Sequence, residues 1–265
     1  MKNTLDNPLV SIIITLYNYE KYIKDCLLSI KKQDYNNIEI IVVDDFSKDK
    51  SSAVAKSVDD VNVITMTENK GYSFCKNVGI KASSGEMIVL LDADDMLTKK
   101  SISRRVSAIS LNDVEFVHGN AIAVYGDVSL KKCYKLKRLP YQSTRLYAKK
   151  IPSIERCHTL YNIHAQTVMV RRHVYEKYGL YDEDLVSRSD REMWWRLFGK
   201  SDADINLVKR GFVDKTLAYY RYHRKSMRYK RKKNKKKNQS IIEASERAYE
   251  KRKTEGINSD NTIFL

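Results

Sequence analysis

Three carboxylates, Asp92, Asp94 and Asp95, stand together at the end of an unbroken apolar run, Met87-Ile88-Val89-Leu90-Leu91. Such a run reads as a fully buried central strand, which puts the acids at a strand's carboxyl end, where open α/β sheets bind ligands. Two like charges about 4 Å apart repel by roughly 4 kcal/mol at an effective dielectric of 20. A divalent cation relieves that repulsion most directly, and hard oxygen donors suit Mg²⁺ or Mn²⁺ better than zinc. An alternative use is a helix cap near Thr98; one Asp is enough for capping, and three exceed that need.

A second acidic pair, Asp44-Asp45, follows the apolar segment Ile38 to Val43 and leads into Phe46-Ser47. Thr15, Tyr17 and Asn18 follow the segment Val10 to Ile14 in the same way. Carboxylates and an aromatic at successive strand ends suit a base and a ribose, with a diphosphate bridged through a metal. Each residue also has a plainer use: an Asp pair before Ser is a common turn, Tyr17 could be half-buried packing, Asp190 could cap the helix after it, and His223 could be a surface histidine.

The elements that must position these groups follow from periodicity. Strand and helix alternate through the first half: strands at Val10–Ile14, Ile38–Val43, Val61–Met66 and Met87–Leu91, and a short helix at Ser52–Val58. One helix, capped by Asn18, carries Ile23, Leu27 and Ile30, and another carries Ile102, Val106 and Ile109. The helix over Tyr72–Lys81 is expected to turn Phe74 and Val78 inward, after the turn Asn69-Lys70-Gly71. This alternation predicts an α/β fold with a mostly parallel central sheet flanked by helices. Beyond residue 113 the rhythm shortens to strands at Val114–His118 and Ala121–Tyr125, a long polar connection from Gly126 to Cys157 of the kind that forms substrate loops or lids, and a helix from Arg171 to Gly179. A helix over Asp190–Phe198 buries Trp194, Leu197 and Phe198 and leaves Trp195 toward an acceptor; strands at Ile205–Val208 and Phe212–Tyr220 and a tail helix at Ile241–Lys253 complete the chain. The predicted organisation is one domain over 1–227, with halves at about 8–112 and 113–227, and a basic tail over 228–265.

Composition narrows the class. The 265 residues are 42% apolar and 31% charged, as in a globular protein with a substantial core. The polar stretch Met1 to Pro8 lacks a hydrophobic signal core, which argues against secretion. Cys26, Cys75, Cys133 and Cys157 lack zinc or thioredoxin spacing and read as reduced, packed thiols of a cytoplasmic protein. Of the net charge of +16, eleven positive charges lie between Arg221 and Lys237 with no acid among them, leaving +5 for the rest. That run reads as a solvated extension or as a patch for an anionic membrane surface. Nucleic acid fits poorly, because Tyr222 and Tyr229 offer little stacking.

Neither the glycine-rich turn of a dinucleotide fold nor a P-loop follows the first strand. Instead, the chain resembles the family 2 glycosyltransferases of GT-A fold. The resemblance rests on Val10 through Asn18, Ile41 through Ser47, Asn69-Lys70-Gly71, Lys76-Asn77-Val78-Gly79, Gly85 through Leu97, Gly179 through Glu183, Ser189 through Trp194 and Tyr220 through His223, spanning about 8 to 227 in the family's order. It implies an inverting, metal-dependent transfer of a sugar from a nucleotide-sugar donor, a UDP-sugar above all, to a glycan or lipid-linked acceptor, in cell-surface polysaccharide synthesis and at the inner face of a membrane.

By the same resemblance, Thr15, Tyr17 and Asn18 line the nucleotide pocket, Asp45 meets the base with Asp44 beside it, and one of Asp92 and Asp94, in the donor-binding stretch Asp92-Ala93-Asp94, lies near the ribose. Asp94 or Asp95 would hold Mn²⁺ or Mg²⁺, His223 would approach the metal or diphosphate, and Asp190 would be the catalytic base. Two positions depart from the family pattern. Lys76 stands where Arg is usual and keeps the charge without the bidentate fork, leaving a donor phosphate or ribose contact implied; Ser189 stands where Glu is frequent. These departures keep a nucleotide-sugar binder without turnover as a second class, and a polyanion-binding module led by the tail as a third.

Overall fold

The structure, a computed structural model, describes residues 7–135, 163–185, 187–199, 208–224, 226 and 235–255. Strand β1 (Val10–Leu16) is followed by α1 (Ile23–Lys31), β2 (Ile38–Asp44), α2 (Ser51–Lys56), β3 (Asn62–Thr65), α3 (Tyr72–Ala82), β4 (Met87–Asp92), a short β5 (Met96–Leu97) and α4 (Ser101–Asn112). Then come β6 (Phe116–Tyr125), α5 (Leu130–Lys135), a 3₁₀ turn (Ala165–Thr167), β7 (Met169–Arg171), α6 (Arg172–Tyr178), α7 (Ser189–Phe198), β8 (Arg210–Tyr222) and α8 (Lys235–Glu255).

All strands join one sheet in the order β3-β2-β1-β4-β7-β6-β8-β5. The first four are mutually parallel, as the predicted alternation requires, while β7 runs antiparallel to both β4 and β6 and β5 runs antiparallel to β8. The fold is therefore α/β of the predicted kind, with its mixed portion in the second half. Register does the positioning: Thr15 lies beside Val43 on one side and Asp92 on the other, and Leu16 lies beside Asp44. The carboxyl ends of β1, β2 and β4 thus finish at one level.

Because successive strand residues face opposite sides, the buried strands feed two cores. Val10, Ile12, Ile14, Met87, Val89 and Leu91 pack toward α1 and α4. Ile13, Ile88 and Leu90 pack toward α6 and α7 through Tyr175, Trp194 and Phe198. Each fully buried aliphatic of this kind stabilises by about 1.5–3 kcal/mol. Helix α3 lies close to β1 because residue 79 is glycine: a Cβ there would meet the Ile13 side chain at 2.2 Å.

Several sequence expectations need correction. Strands at Val114–His118 and Ala121–Tyr125 are one strand, β6, with an irregular register at Gly119 and Asn120 against β8. Asn18 does not cap α1, which starts at Ile23. Phe74 and Val78 are half-buried, and α3 turns Ser73, Cys75, Lys76, Asn77, Gly79 and Ile80 inward. No acid of the triplet caps α4, since β5 intervenes and the helix has no side-chain cap. The strand expected at Ile205–Val208 lies outside the described residues save Val208, as does the connection beyond Lys135 up to 162, Cys157 included. Cys26, Cys75 and Cys133 are buried and free, as expected.

Candidate active site

The first wall of the site is the pair of loops after β1 and β2. Asn18 takes a positive φ of 56° and clasps the two: its backbone N–H donates to Ser47 Oγ (2.9 Å), and its side-chain Oδ1 accepts from the Lys48 N–H (2.7 Å). Asp45 is buried and accepts from two successive backbone donors, Lys70 (2.7 Å) and Gly71 (2.9 Å), so it shapes the entry into α3. Gly71 permits that entry, with φ at +93°. Asp44 accepts from the Ser47 N–H (3.2 Å) through Oδ1, while its Oδ2 is buried without a hydrogen-bond partner. Thr15 is half-buried between Val43 and Asp92, and Tyr17 stands 44% exposed.

The acidic triplet ends β4. One ligand atom of each of Asp92, Asp94 and Asp95 falls within 4.8 Å of the others, with Ala93 fully buried between them. Each acid has a different anchor. Asp92 accepts from the Tyr72 hydroxyl (2.7 Å), Asp94 Oδ2 lies 2.9 Å from His223 Nε2, and Asp95 Oδ1 accepts from the Arg221 backbone N–H (2.8 Å). Asp95 Oδ2 is buried with no partner. Burial, and then the Asp94 charge, push the Asp92 carboxyl up to about 6 and the Asp95 carboxyl well above the ordinary range. Such a cluster is short of positive charge, and its all-oxygen donors with an orphaned Oδ2 fit a hard divalent cation.

Arg221 is the residue that sequence reasoning missed. Counted there as part of a basic run, it is instead 1% exposed. Its guanidinium donates to the main-chain oxygens of Asp94 (2.8 Å), Val128 (2.6 Å) and Gly126 (3.3 Å), approaches Asp25 at 3.8 Å and lies over the Tyr22 ring. It fastens β8 to the turn carrying the acids. The signal was its place in Tyr220-Arg221-Tyr222-His223, at the end of an apolar strand pattern.

Asp190 lies in the first turn of α7, across from the triplet. Its carboxylate forms a close ion pair with the Lys76 ammonium. Lys76 is fully buried, with its nitrogen 3.9 Å from the centre of the Tyr72 ring and 4.2 Å from that of Tyr181. The loop ahead of α7 is pinned to α3 by Asn77, which donates to Tyr181 O (2.8 Å) and Glu183 Oε1 (2.9 Å) and accepts from the Tyr181 N–H (3.0 Å). Within α7, Arg196 pairs with Glu192 and donates to Tyr178 O and Leu180 O, locking α7 against the end of α6.

Helix α8 covers α7. It begins at Lys235, earlier than the Ile241 start read from the sequence, and buries Ile241, Ser245 and Tyr249. Arg191 and Glu246 pair at 3.4 Å, and the Trp195 and Tyr249 rings pack edge to face at 5.9 Å. Trp195, expected toward an acceptor, is 4% exposed beneath this helix.

A cavity of about 400 Å³ opens beside the His223 side of the triplet. Tyr19, Tyr22 and His223 form an aromatic wall, and the charged lining residues are Lys21 and Arg224 with Glu20, Asp49 and Asp127.

Residues 11–179 match the model of glycosyl transferase family 2. An uncharacterized glycosyltransferase of Rickettsia prowazekii is 31% identical over 204 residues, which are 75% of this chain and 61% of that protein. The chain therefore spans about three fifths of the length of this curated relative. Among solved structures, S. aureus TarS 1–349 in complex with UDP-GlcNAc aligns with a TM-score of 0.63 at 22% identity, over 81% of this chain and 58% of that one. The mannosyltransferase PcManGT from Pyrobaculum calidifontis, in complex with GDP-Man and Mn²⁺, aligns at 0.56 and 19%, over 83% and 58%. At these identities the two structures speak to the fold.

Proposed function

The chain belongs to glycosyl transferase family 2, and from that membership we propose that it transfers a sugar, with inversion, from a UDP-sugar to a hydroxyl of a glycan or lipid-linked acceptor. The observation that carries this reading is the Asp92, Asp94 and Asp95 triplet, gathered within 4.8 Å and joined by His223, with Asp190 linked to it through Tyr72 and Lys76. Asp94 and His223 would hold Mn²⁺ or Mg²⁺, with Asp95 Oδ2 in reserve. A bound cation of this kind supplies Lewis-acid stabilisation to a departing diphosphate.

The chain's own groups divide the remaining work. Asp45 braces the turn that opens α3 and, by the family pattern, would meet the base with Asp44 beside it. Asp92, beside Thr15, faces the ribose. Asp190 accepts the proton of the acceptor hydroxyl as its oxygen bonds to the anomeric carbon. The bond from that carbon to the diphosphate oxygen breaks on the opposite face, and the electron pair leaves with the nucleoside diphosphate. A carboxylate base so placed contributes about 10²–10⁴-fold.

Among the described residues no helix is long and apolar enough to cross a membrane. The basic run ahead of α8 supplies a peripheral route to a lipid-linked acceptor, since each basic residue near an anionic surface contributes about 1 kcal/mol.

A thermal-shift panel of nucleotide sugars, with and without Mn²⁺, tests the donor, because binding to the folded state raises the midpoint. The expected outcome is a cation-dependent rise with a UDP-sugar that Asp190→Asn retains while losing transfer. A panel with no response to any sugar nucleotide would overturn the reading.

A further inference from the structure

Lys76 carries its charge in a site closed to solvent, with a side chain 1% exposed. Burying an ammonium is expensive unless it is paired, and the pairing here is specific: one carboxylate, that of Asp190, and the faces of two tyrosine rings. One of those rings belongs to Tyr72, whose hydroxyl donates to Asp92 at 2.7 Å. An unbroken chain of contacts therefore runs from the donor-side acid Asp92 through Tyr72 and Lys76 to Asp190, joining β4, α3 and α7. Asn77, the next residue of α3, holds the loop that delivers α7, so two neighbouring side chains of one helix fix both the path and the end point of the proposed base.

A ligand of the donor's phosphate or ribose must present its nitrogen to an open cleft. The Lys76 nitrogen faces protein on the sides described, and reaching a donor would break its ion pair.

We propose that Lys76 is a positioning residue that keeps the Asp190 carboxylate aimed at the acceptor hydroxyl, and that it takes no part in holding the donor. It exchanges no proton in the reaction; the acceptor's proton goes to Asp190 and the Lys76 charge stays where it is. This role rests on the transfer reading above, so the experiment separates the two.

The 265-residue wild type, Lys76→Met and Lys76→Arg are compared for UDP-sugar affinity with Mn²⁺ by calorimetry, and for kcat and KM in transfer. Lys76→Met keeps the side-chain length and removes the charge. The expected result is a donor Kd within about threefold of wild type, kcat lower by about 100-fold, and recovery of at least tenfold in Lys76→Arg. A Kd weakened tenfold or more, with kcat at saturation unchanged, would overturn the proposal in favour of a donor ligand. A double-mutant cycle of thermal midpoints on Lys76→Met and Asp190→Asn reads the pairing without activity. A non-additive shift of about 2–4 °C is expected, and additivity would overturn the pairing. Wild type inert toward every sugar nucleotide, with the coupling intact, would sink the transfer reading alone; active wild type without coupling would sink the role of Lys76 alone.

Discussion

His223 Nε2 sits 2.9 Å from Asp94 Oδ2, joining residues 129 positions apart in the chain. The contact ties the end of β8 to the acidic turn after β4 and gives the proposed cation two donors of different softness. Asp94→Ala is expected to abolish Mn²⁺ binding and lower turnover at least 100-fold. His223→Ala should raise the Mn²⁺ Kd by about 10–100-fold. Titration of free Mn²⁺ by its paramagnetic resonance signal checks both, and added EDTA should remove activity that excess Mn²⁺ restores.

Arg221 should matter for stability more than its position beside a basic run suggests. Arg221→Met leaves the Asp94, Gly126 and Val128 carbonyl oxygens without their donor, in a buried setting. The expected loss is about 3–5 kcal/mol, read as a lower urea midpoint, whereas exchange of the exposed Lys132 should move it by less than about 0.5 kcal/mol.

Gly79 sets how near α3 lies to β1. Gly79→Ala drives a methyl into the stiff, β-branched Ile13 and should cost about 1–3 kcal/mol. Combining it with Ile13→Ala should cost less than the sum of the two single changes, because the second vacates the volume that the first demands. Chemical denaturation of the four proteins of the cycle measures this.

His118 supplies a pH dependence of defined sign. Burial, with the Arg210 charge second, pushes its imidazole down to about 3, against an ordinary value of 6.5. The folded state thus holds it neutral while the unfolded chain protonates it below 6.5, so stability falls as pH falls from 6.5 toward 3. Between pH 6.5 and 5 wild type should lose about 2 kcal/mol more than His118→Gln, measured by urea denaturation at each pH.

The basic run should bind anionic vesicles in a salt-dependent manner. Changing Lys230, Lys232 and Lys233 together to Gln should weaken binding to phosphatidylserine-containing vesicles by about 100-fold and leave neutral vesicles unaffected. Cosedimentation at two salt concentrations reads the difference.

The parallel half of the fold was legible because its strands are short apolar runs whose ends coincide with polar clusters; Asp44, Asp92 and their neighbours could be set at one sheet edge from that alone. Three features were harder to read from their local sequence. Lys76 and Asp190 are 114 residues apart, and nothing in the helix Tyr72–Ala82 announces that Lys76 faces inward. Arg221 looks like tail charge until its carbonyl partners, on segments far away in sequence, are known. Helix α8 docks through Ile241, Ser245 and Tyr249, a stripe too sparse and too polar to read as a buried face. Conversely, the two strands expected at Val114–His118 and Ala121–Tyr125 are one, because pairing with β8 continues through Gly119 and Asn120 as an irregularity of register.

The bonds from Arg221 and His223 to the acidic turn also govern the order in which the protein comes into being. On the ribosome, β1 to β4 can emerge and pair, but β8 must leave the exit tunnel and insert between β6 and β5 before Asp94 and Asp95 acquire their partners. A nascent chain carrying the whole acidic strand is therefore still without the partners that Arg221 and His223 give to Asp94 and Asp95. Fragments released early hold the acidic strand and lack the neighbours that organise it.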